Sequence, residues 1–362
     1  MHSSPAAGLS NHHIGVHALN TDTINRRWLV ARRPDGVVKA DDFRYAEGPV
    51  PVPKAGDILL RTLYFGYDAA QRLWLTERGA GYLPPIKLGE PMLSAGIGQV
   101  MASNDPSYKP GDIVEGLMSW QDYALVRADG PLPLRKLPQT DYPLTWNLSI
   151  FGVNGLTAYF GVADGLKVKP GDTVVISSAA GATGLLAGGI AKALGARRVI
   201  GIAGGRDKCK WLVDHGGFDA AIDYKGENLA ARLTELCPQG VECYFDNVGG
   251  EILDTVLLHM ADRGRILICG AISSGYNETR MQGPSNYMQI CAHQLTVQGI
   301  LLPFYKDQIP EAAARLGQWV KEGKLRVQEE VVEGFKRAPE LLPTMYTVKN
   351  PGKLLLHVAD PK

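Results

Sequence analysis

The sequence predicts an α/β chain in which a doubly wound parallel sheet is joined to a smaller, mostly antiparallel β-barrel, and three observations carry that prediction. Residues 173–194, TVVISSAAGATGLLAGGIAKAL, take an apolar β-branched run through a glycine turn into small residues and good helix formers. Beyond them, strand-like and helix-like segments alternate. Ahead of them, residues 27–126 hold short β-like runs cut by Gly and Pro corners. A length of 362 residues suits two domains.

The barrel runs are 28–31, 57–63, 98–102, 113–117 and 124–127, with corners such as Pro34-Asp35-Gly36 and Lys109-Pro110-Gly111-Asp112. From Leu148 the character changes: 154–163 reads as helix, and Lys169-Pro170-Gly171-Asp172 launches the buried strand 173–177. Then come helix 184–194, strand 198–203, helix 208–215, strand 221–223, helix 228–237, strand 241–246, helix 251–260 and strand 265–269. Such repeated units imply a parallel sheet whose ligand lies beyond the carboxyl ends of its strands. A strand at 295–302 precedes an amphipathic helix at 308–322, and the tail runs 327–332 and 353–358 return to the first domain. The expected domains are thus 23–152 with 330–362, and 153–329, after a disordered extension over 1–22.

In the turn itself, Gly181-Ala182-Thr183-Gly184 opens the helix, whose first N–H groups have no intrahelical acceptor and suit a phosphate. Ala179 stands where a full GxGxxG would begin. A sheet that binds NAD usually carries Asp or Glu at the end of its second strand. Here that tip reads Ala203-Gly204-Gly205-Arg206-Asp207-Lys208, two glycines flanked by cations, which suits a 2′-phosphate and hence NADP. The other reading makes Arg206 and Lys208 solvated charges at a helix start.

Composition sets limits. Hydrophobic content of 45%, charged content of 21% and a net charge of +1 give no electrostatic reason to invoke nucleic acid or an anionic membrane. No run of 18 apolar residues exists. His2, His12, His13 and His17 fall in the extension, either as solvated residues or as adventitious metal ligands. The five cysteines, Cys209, Cys237, Cys243, Cys269 and Cys291, form no CxxC pair and fit reduced thiols in the cytoplasm. Between Ala18 and Lys208 there is neither Cys nor His, so the barrel offers no zinc ligand set, and no metal is expected.

Six stretches together carry a resemblance: GLTAYFG at 155–161, AAGATG at 179–184, YFDNVGG at 244–250, CGAIS at 269–273, VEGF at 332–335 and NPGKL at 350–354. The chain resembles the medium-chain dehydrogenase/reductase superfamily, within its zinc-independent branch of prostaglandin reductases, leukotriene B4 12-hydroxydehydrogenase, plant alkenal reductases and bacterial curcumin reductase-like enzymes. That resemblance implies a Rossmann domain with a GroES-like barrel and NADPH-dependent reduction of the carbon–carbon double bond of α,β-unsaturated ketones and aldehydes. It implies Gly181, Ala182, Thr183 and Gly184 under the pyrophosphate, and Lys208 with Tyr224 around the 2′-phosphate. Asn247 then resembles the family's cofactor-contacting asparagine, although Asx residues also make local turns. Cys269, Gly270, Ala271, Ile272, Ser273 and Tyr276 resemble the loop beside the nicotinamide. Ile300, Leu301 and Leu302 resemble the segment at its amide, and Asn350 a contact made from across the cleft. A homodimer paired through the edge strand 295–302 is implied as well.

Without a Lewis acid, hydride delivery to an activated double bond is less demanding than reduction of a simple ketone. Negative charge then appears on the carbonyl oxygen, and the Tyr276 hydroxyl or a cofactor ribose hydroxyl is the candidate donor. The substrate region departs from its relatives: YDAAQR at 67–72 stands where they commonly read VDPYMR, Gly189 replaces a glutamine, and Val153-Asn154 replaces Met-Pro. Tyr67, Tyr82 and Tyr287 are open as pocket or surface residues. Two other readings are a quinone reductase with the same cofactor site and a non-catalytic NADPH-binding protein.

Overall fold

The computed structural model describes residues 23–130, 134–276, 283–346 and 351–362. The extension over 1–22, with its four histidines, and Asn350 lie outside the described residues.

The first part of the chain contributes β1 (Ile24–Val30), β2 (Phe43–Pro49), β3 (Asp57–Gly66), the short helix α1 (Gln71–Trp74), β4 (Leu93–Ser103), β5 (Ile113–Ser119), β6 (Tyr123–Arg127) and β7 (Arg135–Lys136). Strand β3 is the axis of this part, pairing antiparallel with β4 along one edge and with β6 along the other. Strand β2 escapes sequence reading because FRYAEGP mixes Arg, Glu, Gly and Pro. It forms because β1 pairs with it at all of its seven residues, which supplies the backbone partners its side chains do not predict.

The second part begins with α2 (Val153–Phe160), which runs on through one wider turn closed by Leu166 N–H donating to Gly161 C=O. There follow β8 (Thr173–Ser177), α3 (Ala182–Ala193), β9 (Arg198–Ala203), α4 (Arg206–Asp214), β10 (Ala220–Asp223), α5 (Leu229–Leu236), β11 (Val241–Asp246), α6 (Gly250–Leu257), β12 (Met260–Ile268), α7 (Met288–Ala292), β13 (Thr296–Gly299) and α8 (Ile309–Lys321). The sheet order is β10-β9-β8-β11-β12-β13, parallel throughout. Chain order therefore reverses direction between β8 and β11, which is where such sheets take their ligands. Helix α2 packs closely on this sheet because Gly161 and Gly165 are bare: a Cβ on either would lie 2.5 or 2.3 Å from Leu267.

Several boundaries differ from expectation, and two of the shifts have a plain cause. The helix expected to Met260 ends at Leu257, because Met260 is drawn into β12 as a buried residue pairing with Val241. The strand expected over 295–302 shortens to Thr296–Gly299, since Leu302 starts a tighter turn with Pro303. The tail then supplies β14 (Glu329–Glu333), α9 (Ala338–Thr344) and β15 (Lys353–His357). Strand β15 pairs antiparallel with β3 and parallel with β14, so the chain's end is built into the first sheet. Helix α9 was not legible because Pro339 and Pro343 interrupt its pattern.

Candidate functional site

The site is assembled at the switch point, beginning with the glycine turn. Gly181 caps α3 with extended backbone, and the N–H groups of the first helical turn point out of the helix end. The two glycines serve different ends. A Cβ on Gly184 would lie 2.5 Å from Ser178 C=O and 2.9 Å from the Ala179 backbone, so strand and helix can meet this closely only at a glycine. At Gly181 the nearest atom would be 3.3 Å away, so its bareness keeps the turn's outer face open to a ligand. Gly352 N–H donates to Ala180 C=O at 2.9 Å, bringing the returning tail against the turn.

At the tip of β9, Gly205 takes φ +106 and its N–H donates to Asp223 Oδ1 at 2.7 Å. Tyr224 and Lys225 fold over Gly204, where a Cβ would meet them at 2.9 and 3.0 Å. Lys208 lies near enough to Lys225 to be disfavoured as a cation, and its ammonium is held below the usual lysine range by burial first and that neighbour second. Among the described residues no ion pair is recorded for Arg206, Lys208 or Lys225. Asp223 is engaged by the backbone N–H groups of Gly205 and Lys225 and forms no ion pair with these cations among the described residues, so their ammonium and guanidinium groups remain available to an anion. Lys225 escaped sequence reasoning, although its place directly after Tyr224 at the end of the third strand was a usable signal.

The carboxyl end of β11 is tied down by Asp246, which is fully buried and accepts from Tyr244 O–H, Ser177 O–H and the N–H groups of Val248 and Gly249. Asn247 is pinned across the switch point, its side chain donating to Ser177 C=O at 2.7 Å and its N–H to Ser177 Oγ at 2.9 Å. The loop after β12 hangs on the same strand end: Cys269 and Gly270 N–H donate to Asp246 C=O, Ile272 N–H to Asn247 C=O and Ser273 N–H to Val248 C=O. Burial pushes the Cys269 thiol up to about 12, which leaves it protonated and unreactive at neutral pH.

Tyr276 closes this loop with φ +50, a left-handed conformation that a tyrosine seldom adopts. Its hydroxyl accepts from Ala271 N–H at 3.2 Å and lies over Gly270, where a Cβ would be 2.7 Å from it and 3.1 Å from Asn247 C=O. Burial pushes the phenol up to about 12. The oxygen accepts from the loop, and among the described residues its hydrogen meets no acceptor, which leaves it to donate outward. Tyr82 and Tyr346 lie close enough to couple electrically to Tyr276. Tyr82 accepts from Trp74 Nε1 at 3.2 Å, and Tyr346 donates to Ala69 C=O at 2.7 Å. Three tyrosines from three distant segments thus gather here, and Tyr346 carried no sequence signal.

Other candidates separate. Tyr67 is core: fully buried, it packs on Trp120 and donates to Ala338 C=O at 3.0 Å. Tyr287 is 61% exposed. Ile300 N–H donates to Ile268 C=O, which places 300–302 beside the end of β12, with Leu301 exposed. Among the described residues no three His, Cys, Asp or Glu side chains gather as a metal site.

The segment 67–72 proves to be a junction. Asp68 accepts from Lys353 Nζ at both oxygens, 2.8 Å each, and from Asn154 Nδ2 at 3.0 Å. Asn154 also donates to Thr183 Oγ1 in the glycine turn at 3.1 Å. Lys353 is only 1% exposed.

Comparison with known proteins agrees with this architecture. A sequence profile described as "N-terminal domain of oxidoreductase" matches residues 26–134, and one described as "Zinc-binding dehydrogenase" matches residues 182–318. The chain is 36% identical over 341 residues to the NADPH-dependent curcumin reductase of Escherichia coli, covering 92% of this chain and 97% of the relative. It is 34% identical over 339 residues to the NADP(+)-dependent 2-alkenal reductase of Nicotiana tabacum, covering 92% and 98%. The crystal structure of CurA in complex with NADPH from Vibrio vulnificus superposes with a TM-score of 0.85 at 34% identity, covering 93% of this chain and all of that one. On these profiles, identities and coverages, the chain belongs to the medium-chain dehydrogenase/reductase superfamily, in its zinc-independent branch of curcumin, alkenal and prostaglandin reductases.

Proposed function

We infer that this protein is an NADPH-dependent reductase of the carbon–carbon double bond in α,β-unsaturated ketones and aldehydes. The observation that carries the reading is Tyr276, a neutral, partly buried hydroxyl whose hydrogen has no acceptor among the described residues, held at the carboxyl end of the sheet beside its switch point. The residues present fit NADPH: the open face at Gly181, the helix N–H groups of Ala182, Thr183 and Gly184 that have no intrahelical acceptor, and the cations at the β9 tip. When bound, NADPH supplies the hydride.

Gly181, Ala182, Thr183 and Gly184 bind the pyrophosphate through backbone N–H groups and the helix dipole. Lys208, Tyr224 and, added by the geometry, Lys225 hold the 2′-phosphate. Asn247, Cys269, Gly270, Ala271, Ile272 and Ser273 line the nicotinamide end on a backbone fixed by Asp246, with Ile300, Leu301 and Leu302 beside them. Tyr276 donates to the substrate carbonyl oxygen as enolate charge develops there, and the same group or water protonates the α-carbon. Residues 23–152 with 330–362 serve as the substrate domain and 153–329 as the nucleotide domain. The exposed edge of β13, with Val297 and the neighbouring Leu301 and Phe304, is the face that pairs in a homodimer. The five free cysteines suit a cytoplasmic protein.

The test is anaerobic oxidation of NADPH, with NADH in parallel, against an alkenal, an aryl enone, a 15-keto enone and a quinone. Turnover of enones with NADPH preference is expected. Turnover of the quinone alone would replace this reading with a quinone reductase, and binding without any turnover would replace it with a nucleotide-binding protein.

A further inference from the structure

Asn154 is more than nine-tenths buried, and among the described residues its side-chain carbonyl oxygen has no hydrogen-bond partner. The amide orientation is fixed by chemistry. A carboxylate paired with Lys353 can only accept, so the NH2 end of Asn154 must face Asp68, and its second N–H goes to Thr183. Oδ1 therefore faces neither, and an unpaired buried carbonyl is costly.

What could satisfy it is restricted by chemistry and by place. A phosphate oxygen cannot, since it too only accepts. The partner must bring an O–H or N–H into the junction between the glycine turn, reached through Thr183, and the first sheet, reached through Asp68. Resting on the NADPH reading above, the cofactor's pyrophosphate sits on that turn. The next group along the cofactor toward its reacting ring is a ribose with free hydroxyls.

We propose that Asn154 Oδ1 accepts a hydrogen bond from a hydroxyl of the ribose joining the pyrophosphate to the nicotinamide. Lys353 and Asp68 hold Asn154 in place, and its bond to Thr183 Oγ1 fixes the amide plane.

The experiment measures binding by intrinsic fluorescence titration for NADP+, for 2′-phospho-ADP-ribose, which lacks the nicotinamide, and for adenosine 2′-phosphate 5′-diphosphate, which lacks that ribose as well. Wild type is compared with Asn154→Leu and with Asn154→Pro, the latter tolerated because the second residue of α2 has no intrahelical acceptor for its N–H. The expected result is a loss of about tenfold for NADP+ and 2′-phospho-ADP-ribose in both variants. Binding of the ribose-free ligand should stay within about twofold, which also shows that the variants fold. Equal weakening of all three ligands would place the effect in the glycine turn and overturn the assignment. Weakening of NADP+ alone would move the contact to the carboxamide, and no weakening would leave the oxygen to water; each overturns it. Wild-type protein that binds none of the three overturns the NADPH reading itself.

Discussion

Replacing Lys208 and Lys225 by methionine tests the cationic tip directly. Methionine keeps most of the aliphatic stem, so Tyr224 and Gly204 retain their packing while the charge is lost. A hydrogen bond to a charged group contributes about 1.5–3 kcal/mol, more where water is partly excluded. Lys208, partly buried and already disfavoured as a free cation, should lose about 2 kcal/mol of 2′-phosphate binding, or about 30-fold in Kd. Lys225 is exposed and screened, so about 1 kcal/mol, or roughly fivefold, is expected there. Both ammonium groups share one phosphate and act on each other, so the losses should couple, and the double variant should lose between about 30-fold and about 150-fold. Fluorescence titration with NADPH and NADH at two salt concentrations reads the effect. NADH lacks the 2′-phosphate, so its affinity should change less than about twofold, and the salt dependence of NADPH binding should flatten. Equal weakening of both cofactors, or undiminished NADPH affinity in the double variant, would refute the assignment.

Tyr276→Phe should lower kcat on an enone by about 100-fold while leaving the Kd for NADPH unchanged, as removal of one transition-state donor does; an unchanged kcat would shift that role to the cofactor ribose. Because burial raises the Tyr276 phenol to about 12, the proton is retained as pH rises, so kcat should show no decline with an apparent pKa near 10. Lys353→Met leaves Asp68 inside the junction without its cation and should cost about 3 kcal/mol in chemical denaturation, of which the Asp68→Asn, Lys353→Met double variant should recover part. Gly184→Ala should destabilise by about 1–3 kcal/mol, because its Cβ would overlap the Ser178 carbonyl, whereas Gly181→Ala should leave the melting temperature nearly unchanged and weaken cofactor binding. The reverse pattern would show that the two glycines have been given each other's roles.

How legible each element was follows from how local its causes are. The strands expected at 173–177, 198–203 and 241–246 form with those bounds, since each is a largely buried run in the middle of the sheet. The β10 and α3 boundaries move by one or two residues for the ordinary reason that helix and strand ends depend on caps and neighbours. Strand β2 was invisible because its partner β1, not its own side chains, makes it a strand. The same division runs through the site. The glycine turn, the β9 tip and the YFDNVGG strand end are contiguous in the chain, so residue type and spacing disclose them.

The sequence by itself determined a parallel α/β sheet with a phosphate turn, a cationic tip that suits a 2′-phosphate over a bare ribose hydroxyl, and membership in a reductase family. These rest on periodicity and on short-range stereochemistry, which a string of residues records. Only the tertiary structure decided that YDAAQR is a junction and not an open pocket wall, with Asp68 meeting Asn154 86 positions away and Lys353 285 positions away. It alone brought Tyr82, Tyr276 and Tyr346 to one place, set Lys225 beside Lys208, and left one buried amide oxygen without a partner. Hydrogen bonds and charge interactions act over a few ångströms of space whatever the separation along the chain, so folding must first bring such groups together.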